Sequence, residues 1–160
     1  GKHSRLIRIL KYRNRSRHKR SAWTEQGKMY LLDTNIVSYL MRGDEKIIHR
    51  VKNKPPSRLA ISSVTLAEIL YGVEKSPAKK EERRCKIKQI SEVLRLYPFD
   101  EAAAGEYAVI RVALEKAGVM ISERDTQIAA VAAANMLTVV THNVKEFRRV
   151  EKIKVEDWAV

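Results

Sequence analysis

Four polar side chains occupy places in the sequence where a side chain can do chemistry: Asp33, Glu68, Asp125 and Asn143. Asp33 and Asn143 each follow a short apolar run typical of a buried parallel strand, and ligands of open α/β sheets bind beyond the carboxyl ends of such strands. Glu68 lies within an apolar helical pattern, where a carboxylate is costly unless it is paired or binds a metal. Asp125 lies in the first turn of another apolar helical pattern.

Carboxylates that converge from separate elements repel one another unless a cation is present. Hard oxygen ligands of this kind suit Mg²⁺ or Mn²⁺, which keep several waters and engage phosphate. Such an ion lowers the pKa of a bound water and neutralises charge during displacement at a phosphodiester. Zinc is disfavoured, because the single Cys and the four scattered His lack ligand spacing. The absence of the GxxxxGKS/T and GxGxxG motifs removes support for nucleotide-driven and dinucleotide chemistry.

Each acid also has a purely structural interpretation. Asp33 stands before Thr34, and Asp is a favoured helix N-cap. Asp125 follows Ser122 by three residues, an arrangement that supports the start of a helix through capping and the helix dipole. Glu68 could lie on a solvent-facing stripe of its helix. The fold therefore decides whether these acids stabilise helices, meet in one cleft, or do both.

Short apolar runs alternate with helical patterns along the chain. Buried strands are predicted over residues 29–32, 59–62 and 137–141, and edge strands over 95–99 and 153–155. Helices are predicted over residues 36–41, 44–51, 63–73, 79–94, 100–117 and 122–134, and a short turn or helix over 145–149. This repeated βα order predicts a three-layer α/β/α sandwich with a mainly parallel central sheet. Trp158 is expected to pack the C-terminal residues against the domain.

The net charge of +13 is unevenly distributed. Residues 1–28 contain ten Lys and Arg and one acid, so they carry +9, while residues 29–160 carry only +4. This composition predicts a flexible or marginally ordered basic arm, or a non-native leader, ahead of a self-sufficient domain that begins at Met29. The arm could bind RNA phosphates, but no residue in it specifies chemistry.

The compartment is indicated by cysteine usage and by hydrophobic runs. A single cysteine, Cys85, rules out an internal disulfide framework and favours a reducing compartment. No apolar run approaches the roughly eighteen residues of a membrane span, and no signal-peptide h-region precedes the domain. We expect a soluble cytoplasmic protein with no membrane segment.

Five motifs in order carry a resemblance to the VapC-type toxins, ribonucleases of the PIN-domain fold. The sequence resembles that family over about residues 29–158, nearly all of the chain beyond the basic segment. Each motif alone is weak, but five at family-like spacing are specific. The motifs are Leu32–Asn35, Ile61–Ser76, Asp125–Ala130, Val140–Phe147 and Val155–Trp158.

The resemblance implies roles for individual residues. Asp33, Glu68 and Asp125 would form the acidic core that binds Mg²⁺ or Mn²⁺, and Asn143 would stand where many PIN domains have a fourth acid. An amide adds no charge at that position, so the site could bind either one or two metal ions. Glu146 could compensate for the missing charge or lie at the surface. Three further side chains would orient acids or water: Thr34, Asn35 and Thr141.

The resemblance also implies an activity and partners. The family cleaves RNA, in several members tRNA, and each toxin is held inactive by a cognate VapB-like antitoxin whose C-terminal segment covers the active groove. Members typically form homodimers as well as toxin–antitoxin hetero-oligomers. The basic segment has no counterpart in the family pattern.

We interpret the chain as a metal-dependent endoribonuclease, with Arg42, Lys75 and Arg111 as candidates for contacts to the RNA backbone. One alternative is a non-catalytic RNA-binding module that uses the PIN-like body and the basic arm. A second is a DNA nuclease with the same metal chemistry, because these residues do not distinguish the two sugars. A phosphatase with an Asp nucleophile is disfavoured, since no second acid follows Asp33 by two residues.

Overall fold

The structure is a computed structural model that describes residues 2–11 and 27–160. Its strands are β1 (Tyr30–Leu32), β2 (Leu59–Ser62), β3 (Arg95–Tyr97), β4 (Thr138–Val140) and β5 (Lys154–Glu156). They form one parallel sheet in the order β3-β2-β1-β4-β5. β1 is central, with β2 on one side and β4 on the other, which creates the kind of switch point where ligands of such sheets bind.

Helices connect the strands and cover both faces of the sheet. They are α1 (Lys2–Lys11), α2 (Thr34–Arg42), α3 (Glu45–Lys52), α4 (Ser63–Lys75), α5 (Lys80–Val93), α6 (Glu101–Ala117), α7 (Glu123–Asn135) and α8 (Val144–Phe147). A 3₁₀ turn, Pro56–Arg58, precedes β2. The predicted three-layer α/β/α sandwich with a parallel sheet is confirmed. Within the residues described, no helix combines the length and apolar character needed to cross a bilayer.

Alternating side chains of the strands fill two cores, one on each face of the sheet. Tyr30 and Leu32 of β1 belong to a cluster with α2, α3 and α5, while Leu31 belongs to a cluster with α6, α7 and α8. All three side chains are at most 1% exposed. Burial on both faces explains why the sequence of β1 is a continuous apolar run rather than an alternation of apolar and polar residues. Trp158 is also buried and packs against Tyr30, with ring centroids 5.1 Å apart, as expected.

Capping residues set most helix boundaries where the sequence predicts them. Gly43, at φ 82°, ends α2, and the side chain of Asp44 then accepts a hydrogen bond from the backbone N of Ile47 in α3. Asp100 caps α6 in the same way through Ala103. The helix α4 is capped by Ser62, whose side chain accepts from the backbone N of Thr65. β3 stops at Tyr97 rather than Phe99, because Pro98 has no N–H for the ladder.

The N-terminal helix α1 packs on the domain through one apolar face. Leu6, Ile9 and Leu10 are buried in the core shared with α2, α3 and α5, and Arg5 Nη2 lies 3.2 Å from Glu45 Oε1 of α3. The composition predicts a marginally ordered arm here, and over Lys2–Lys11 the structure differs because helical spacing places these three side chains together on an apolar surface. Residues 12–26 lie outside the described residues, and the division into an arm and a domain from residue 29 stays a prediction.

Candidate active site

Asp33 lies at the carboxyl end of β1, where its backbone N continues the pairing with β4 by donating to Val140 O at 2.9 Å. The carboxylate is 3% exposed. Its Oδ1 accepts from the backbone N of Thr34 at 2.8 Å, and its Oδ2 accepts from Thr141 Oγ1 at 2.8 Å. Asp33 therefore caps α2 and also lines the site, so its two interpretations are compatible.

Burial raises the pKa of Asp33 to about 6. The hydrogen bonds from Thr141 and Thr34 lower this pKa, whereas the negative charges of Asp125 and Glu68 raise it further. The carboxyl groups of the three acids are thus close enough to repel one another. A buried carboxylate with a raised pKa beside other acids is a common property of functional sites.

Glu68 reaches the same place from α4. Its side chain is 22% exposed, its Oε1 accepts from Thr34 Oγ1 at 3.1 Å, and its Oε2 lies 3.5 Å from Arg124 Nη1. Glu68 therefore does not lie on a purely solvent-facing stripe. The hydroxyl of Thr34 orients it, as the sequence interpretation of Thr34 predicts.

Asp125 enters from the first turn of α7. Ser122 Oγ accepts from the backbone N of Asp125 at 3.1 Å, which confirms the predicted cap. Burial raises the pKa of the Asp125 carboxyl; the Ser122 hydrogen bond lowers it, and the charge of Glu68 raises it again. Asn143 Nδ2 donates to Asp125 Oδ2 at 3.1 Å. Asn143 thus supplies a donor where an acid would have supplied another negative charge.

A buried hydroxyl ties the ends of β1 and β4 together. Thr141 is fully buried and donates to Asp33, while its Oγ1 accepts from the backbone N of Asn143 at 2.9 Å and from Asn35 Nδ2 at 3.4 Å. Asn35 Oδ1 in turn accepts from the backbone N of His142 at 3.2 Å. Thr141 and Asn35 therefore hold the end of β1, with Asp33, next to the end of β4, with Asn143. The resemblance implies this orienting role for both residues.

The donor set consists of carboxylate oxygens, the ligands that Mg²⁺ and Mn²⁺ prefer. In the part of the chain that the structure describes, no three acid, His or Cys side chains stand close enough to hold an ion jointly. Each of the three acids is instead hydrogen-bonded to a neighbouring side chain of the chain itself, namely Thr141, Thr34 or Asn143. Burial is the main cause of the raised pKa of Asp33, and the charges of Asp125 and Glu68 add to it. A divalent ion that drew the three acids together would relieve this repulsion, so their donor chemistry fits such an ion.

Glu146 lies near this cluster without joining its hydrogen bonds. Its Oε2 pairs with Arg149 Nη1 at 2.9 Å, and its charge contributes to the raised pKa of Asp125.

A groove of about 860 Å³ leads to the acids and is lined there by Thr34, Glu68 and Arg124. Of the predicted RNA-contact residues, Arg42 lines this groove, and Lys75 lies next to it with its Nζ 5.8 Å from the ring centroid of Tyr71. Arg111 instead pairs with Glu115 along α6, with Nε and Oε1 3.1 Å apart. Sequence reasoning missed Arg124, whose only signal is its position directly before Asp125.

Comparisons with known proteins agree with this architecture. The PIN domain family model matches residues 30–153. Ribonuclease VapC2 of Rickettsia felis is 36% identical over 135 residues, which cover 81% of this chain and 98% of that protein. The tRNA(fMet)-specific endonuclease VapC of Salmonella typhimurium is 35% identical over 129 residues, covering 81% of this chain and 97% of that protein.

Solved structures give the same picture. A VapBC2 complex from Rickettsia felis, bound to a promoter DNA fragment, contains a chain with a TM-score of 0.73 and 35% identity, covering 81% of this chain and 98% of that one. The DNA-bound VapBC complex of Salmonella typhimurium contains a chain with a TM-score of 0.76 and 35% identity, covering 82% of this chain and 98% of that one. The resemblance carried by the five motifs is confirmed, and the chain belongs to the PIN domain family and, within it, to the VapC ribonucleases.

Proposed function

We propose that this chain is a metal-dependent endoribonuclease and the toxin component of a type II toxin–antitoxin module. The observation that carries the chemistry is that Asp33, Glu68 and Asp125 approach one another beyond the carboxyl ends of the parallel sheet, near enough for the charges of Glu68 and Asp125 to raise the pKa of Asp33. The raised pKa of Asp33 supports a place for a cation among them. The family supports hydrolysis of a phosphodiester in RNA.

The protein's own part in this reaction is to hold the acids and to direct the RNA. Asp33, Glu68 and Asp125 would hold Mg²⁺ or Mn²⁺, which supplies a more acidic water and neutralises charge on the phosphodiester. Thr141 keeps Asp33 turned toward the site, Thr34 does the same for Glu68, and Asn143 for Asp125. We assign Asn143 this orienting part in the reaction rather than direct metal binding, because its Nδ2 is the group that faces Asp125.

The substrate we propose is tRNA or another structured RNA of the cytoplasm. Support comes from the Salmonella typhimurium relative, whose name specifies tRNA(fMet). Arg42 in the groove and Lys75 beside it place positive charge where an RNA backbone would run toward the acids.

The partner we propose is a VapB-like antitoxin, because the relatives of known structure were solved as VapBC complexes. A homodimer is proposed on a separate observation. Val109 and Val112 lie on one face of α6 and are 55% and 48% exposed, which suits contact with a second copy.

Cleavage of total bacterial RNA tests the proposed function. The chain, freed of antitoxin by denaturation and refolding, is incubated with RNA and Mg²⁺ or Mn²⁺, beside samples with EDTA and with Asp33→Asn. We expect discrete fragments that vanish in both controls. RNA that stays intact while the protein binds it in a salt-sensitive way would contradict the nuclease and support the RNA-binding alternative.

A further inference from the structure

Arg124 lines two cavities beside the acids. It is the second residue of α7, and its Nη1 lies 3.5 Å from Glu68 Oε2. Arg124, Glu68 and Tyr71 line the groove of about 860 Å³ and also a second cavity of about 450 Å³, which lies next to Ser63 and Gln127. A strand of nucleic acid that runs from one cavity to the other therefore passes Arg124, Tyr71 and Glu68, which line both.

The pairing of Arg124 with Glu68 can be exchanged for another anion. The side chain of Arg124 is 64% exposed, so water screens this ion pair and makes it weak. A guanidinium binds a phosphate through two parallel hydrogen bonds, a better match than a single contact at 3.5 Å. Arg124 also supplies positive charge next to acids that would otherwise repel an RNA backbone.

Tyr71 offers an aromatic ring next to Glu68, in the lining of both cavities. It lies three residues further along α4 and is 59% exposed, and the Nζ of Lys75 stands 5.8 Å from its ring centroid. Exposed aromatic rings beside cations bind nucleic acid by stacking on unpaired bases. A base inside a duplex is already stacked on both faces and has no free face to offer.

We propose that Arg124 and Tyr71 form a clamp for an unpaired stretch of RNA, in which Arg124 binds a backbone phosphate and Tyr71 stacks on a neighbouring base. This inference rests on the proposed function and deepens it, because it names two residues that position the RNA strand beside the acids. The clamp would hold the intervening phosphodiester over Glu68. Both side chains bind and position the RNA and take no part in breaking the phosphodiester.

Binding measured without cleavage tests the clamp. A short unstructured RNA and a duplex of the same sequence are titrated in EDTA, followed by fluorescence anisotropy at several salt concentrations. Arg124→Gln should weaken binding of the single strand about five- to tenfold and lower the slope of log affinity against log salt by about 0.7, the value for one lost phosphate contact. Tyr71→Ala should weaken it by about fivefold or more with the slope unchanged, while Tyr71→Phe, which keeps the ring, should bind as the wild type does.

The matched control is Lys154→Gln, which also removes one positive charge. Lys154 is the first residue of β5 and pairs with Thr138, at the end of the sheet opposite the acids. We expect wild-type affinity for this variant and no effect of Tyr71→Ala on duplex binding. Wild-type affinity in both Arg124→Gln and Tyr71→Ala, or equal losses in Tyr71→Ala and Tyr71→Phe, would overturn the clamp.

Cleavage of the same RNA in Mg²⁺ separates the clamp from the function on which it rests. A wild-type chain that cuts RNA, with binding unaffected by either substitution, refutes the clamp alone. Binding that depends on both residues, in a chain that cuts no RNA, leaves the clamp standing and refutes the nuclease.

Discussion

At the scale of single residues, Asp33 has two roles, helix capping and membership of a buried acidic cluster, that usually belong to different side chains. It caps α2 through the backbone N of Thr34, and it is a buried carboxylate in an acidic cluster. Capping alone would leave the group exposed and fully ionised at neutral pH. Asp33 belongs to the acidic cluster because it is buried, accepts a hydrogen bond from Thr141 and lies near Asp125 and Glu68.

Stability without metal should depend on the charge of Asp33. The pKa is raised from 3.8 to about 6 in the folded chain, so folding favours the protonated form. The stabilisation is therefore fully present below pH about 4 and is lost as the pH rises through about 6. Asp33→Asn should remove this dependence and raise the free energy of unfolding at pH about 8 by about 2 kcal/mol, measured by urea unfolding in EDTA.

Asp44→Asn is the control for that measurement. Asp44 is also an Asp N-cap, of α3, but it is exposed and remote from the acids. Asn is an equally good cap, so the Asp44→Asn variant should keep the pH profile of the wild type. A wild-type profile in Asp33→Asn would show that burial does not hold the Asp33 carboxyl in its protonated form.

Asn143→Asp should strengthen metal binding and weaken the metal-free fold. The substitution replaces the donor that contacts Asp125 Oδ2 with a negative charge. We expect a loss of about 1–2 kcal/mol in the free energy of unfolding in EDTA, from the lost hydrogen bond and the added repulsion. Calorimetric titration with Mn²⁺ should give a lower dissociation constant for Asn143→Asp than for the wild type. Asn53→Asp, at the C-terminal end of α3, adds the same charge elsewhere and should leave Mn²⁺ binding unchanged.

The sequence predicts that Asp33, Glu68 and Asp125 lie near one another, because the strand before Asp33 and the helix that contains Asp125 have clear local patterns. An apolar run that ends in Asp33 and a capped helix that starts at Ser122 both point to one edge of a parallel sheet. Arg124 could not be assigned in this way. Its meaning depends on how closely α7 approaches α4, a distance that no local pattern encodes.

At the scale of elements, the sequence predicts the strands and the helix caps, but it does not predict the helix α1. Gly43, Asp44, Asp100 and Gly118 mark helix ends by local backbone chemistry, so the boundaries they predict are observed. The order of the strands follows from the parallel βα pattern. Whether Leu6, Ile9 and Leu10 find an apolar surface depends instead on the packing of α3 and α5, which the sequence of α1 does not contain.

Two substitutions in α1 test its docking. Leu10 is 1% exposed, whereas Ile7 is only partly buried on the same helix. Leu10→Ala should lower the free energy of unfolding by about 2–3 kcal/mol, or release α1 and increase binding of an apolar dye, because a buried side chain is truncated. Ile7→Ala should have a clearly smaller effect. Equal effects of the two substitutions would show that α1 does not bury this face.

At the scale of the whole molecule, charge and chemistry occupy different parts of the chain. Residues 1–28 carry +9 of the net charge of +13, whereas Asp33, Glu68 and Asp125 all lie beyond them, although Arg5, Leu6 and Ile9 of α1 line the groove. Affinity for RNA and turnover should therefore be separable. The sequence predicts this separation from charge counting alone, whereas the path of RNA across the groove requires the folded surface.

Replacing the five Lys and Arg of residues 12–26 with Ser tests that separation and keeps α1, whose Leu6, Ile9 and Leu10 are buried in the core. The substituted chain should bind RNA more weakly and with a smaller salt dependence, because five basic side chains are removed. Its turnover at saturating RNA should stay within about twofold of the wild type, since no acid of the site is lost. A loss of turnover with affinity unchanged would place these residues in the chemistry instead.

The most direct test of the central claim is the Mg²⁺ dependence of RNA cleavage, measured in parallel for five forms of the chain: the wild type, Asp33→Asn, Glu68→Gln, Asp125→Asn and the capping control Asp44→Asn. We expect the wild type and Asp44→Asn to cut the same RNA at the same positions and to stop in EDTA. Each of the other three variants should lose cleavage by about a hundredfold or more while keeping a cooperative thermal transition. Wild-type rates in any of those three, or cleavage that persists in EDTA, would contradict a metal-dependent nuclease built on these carboxylates.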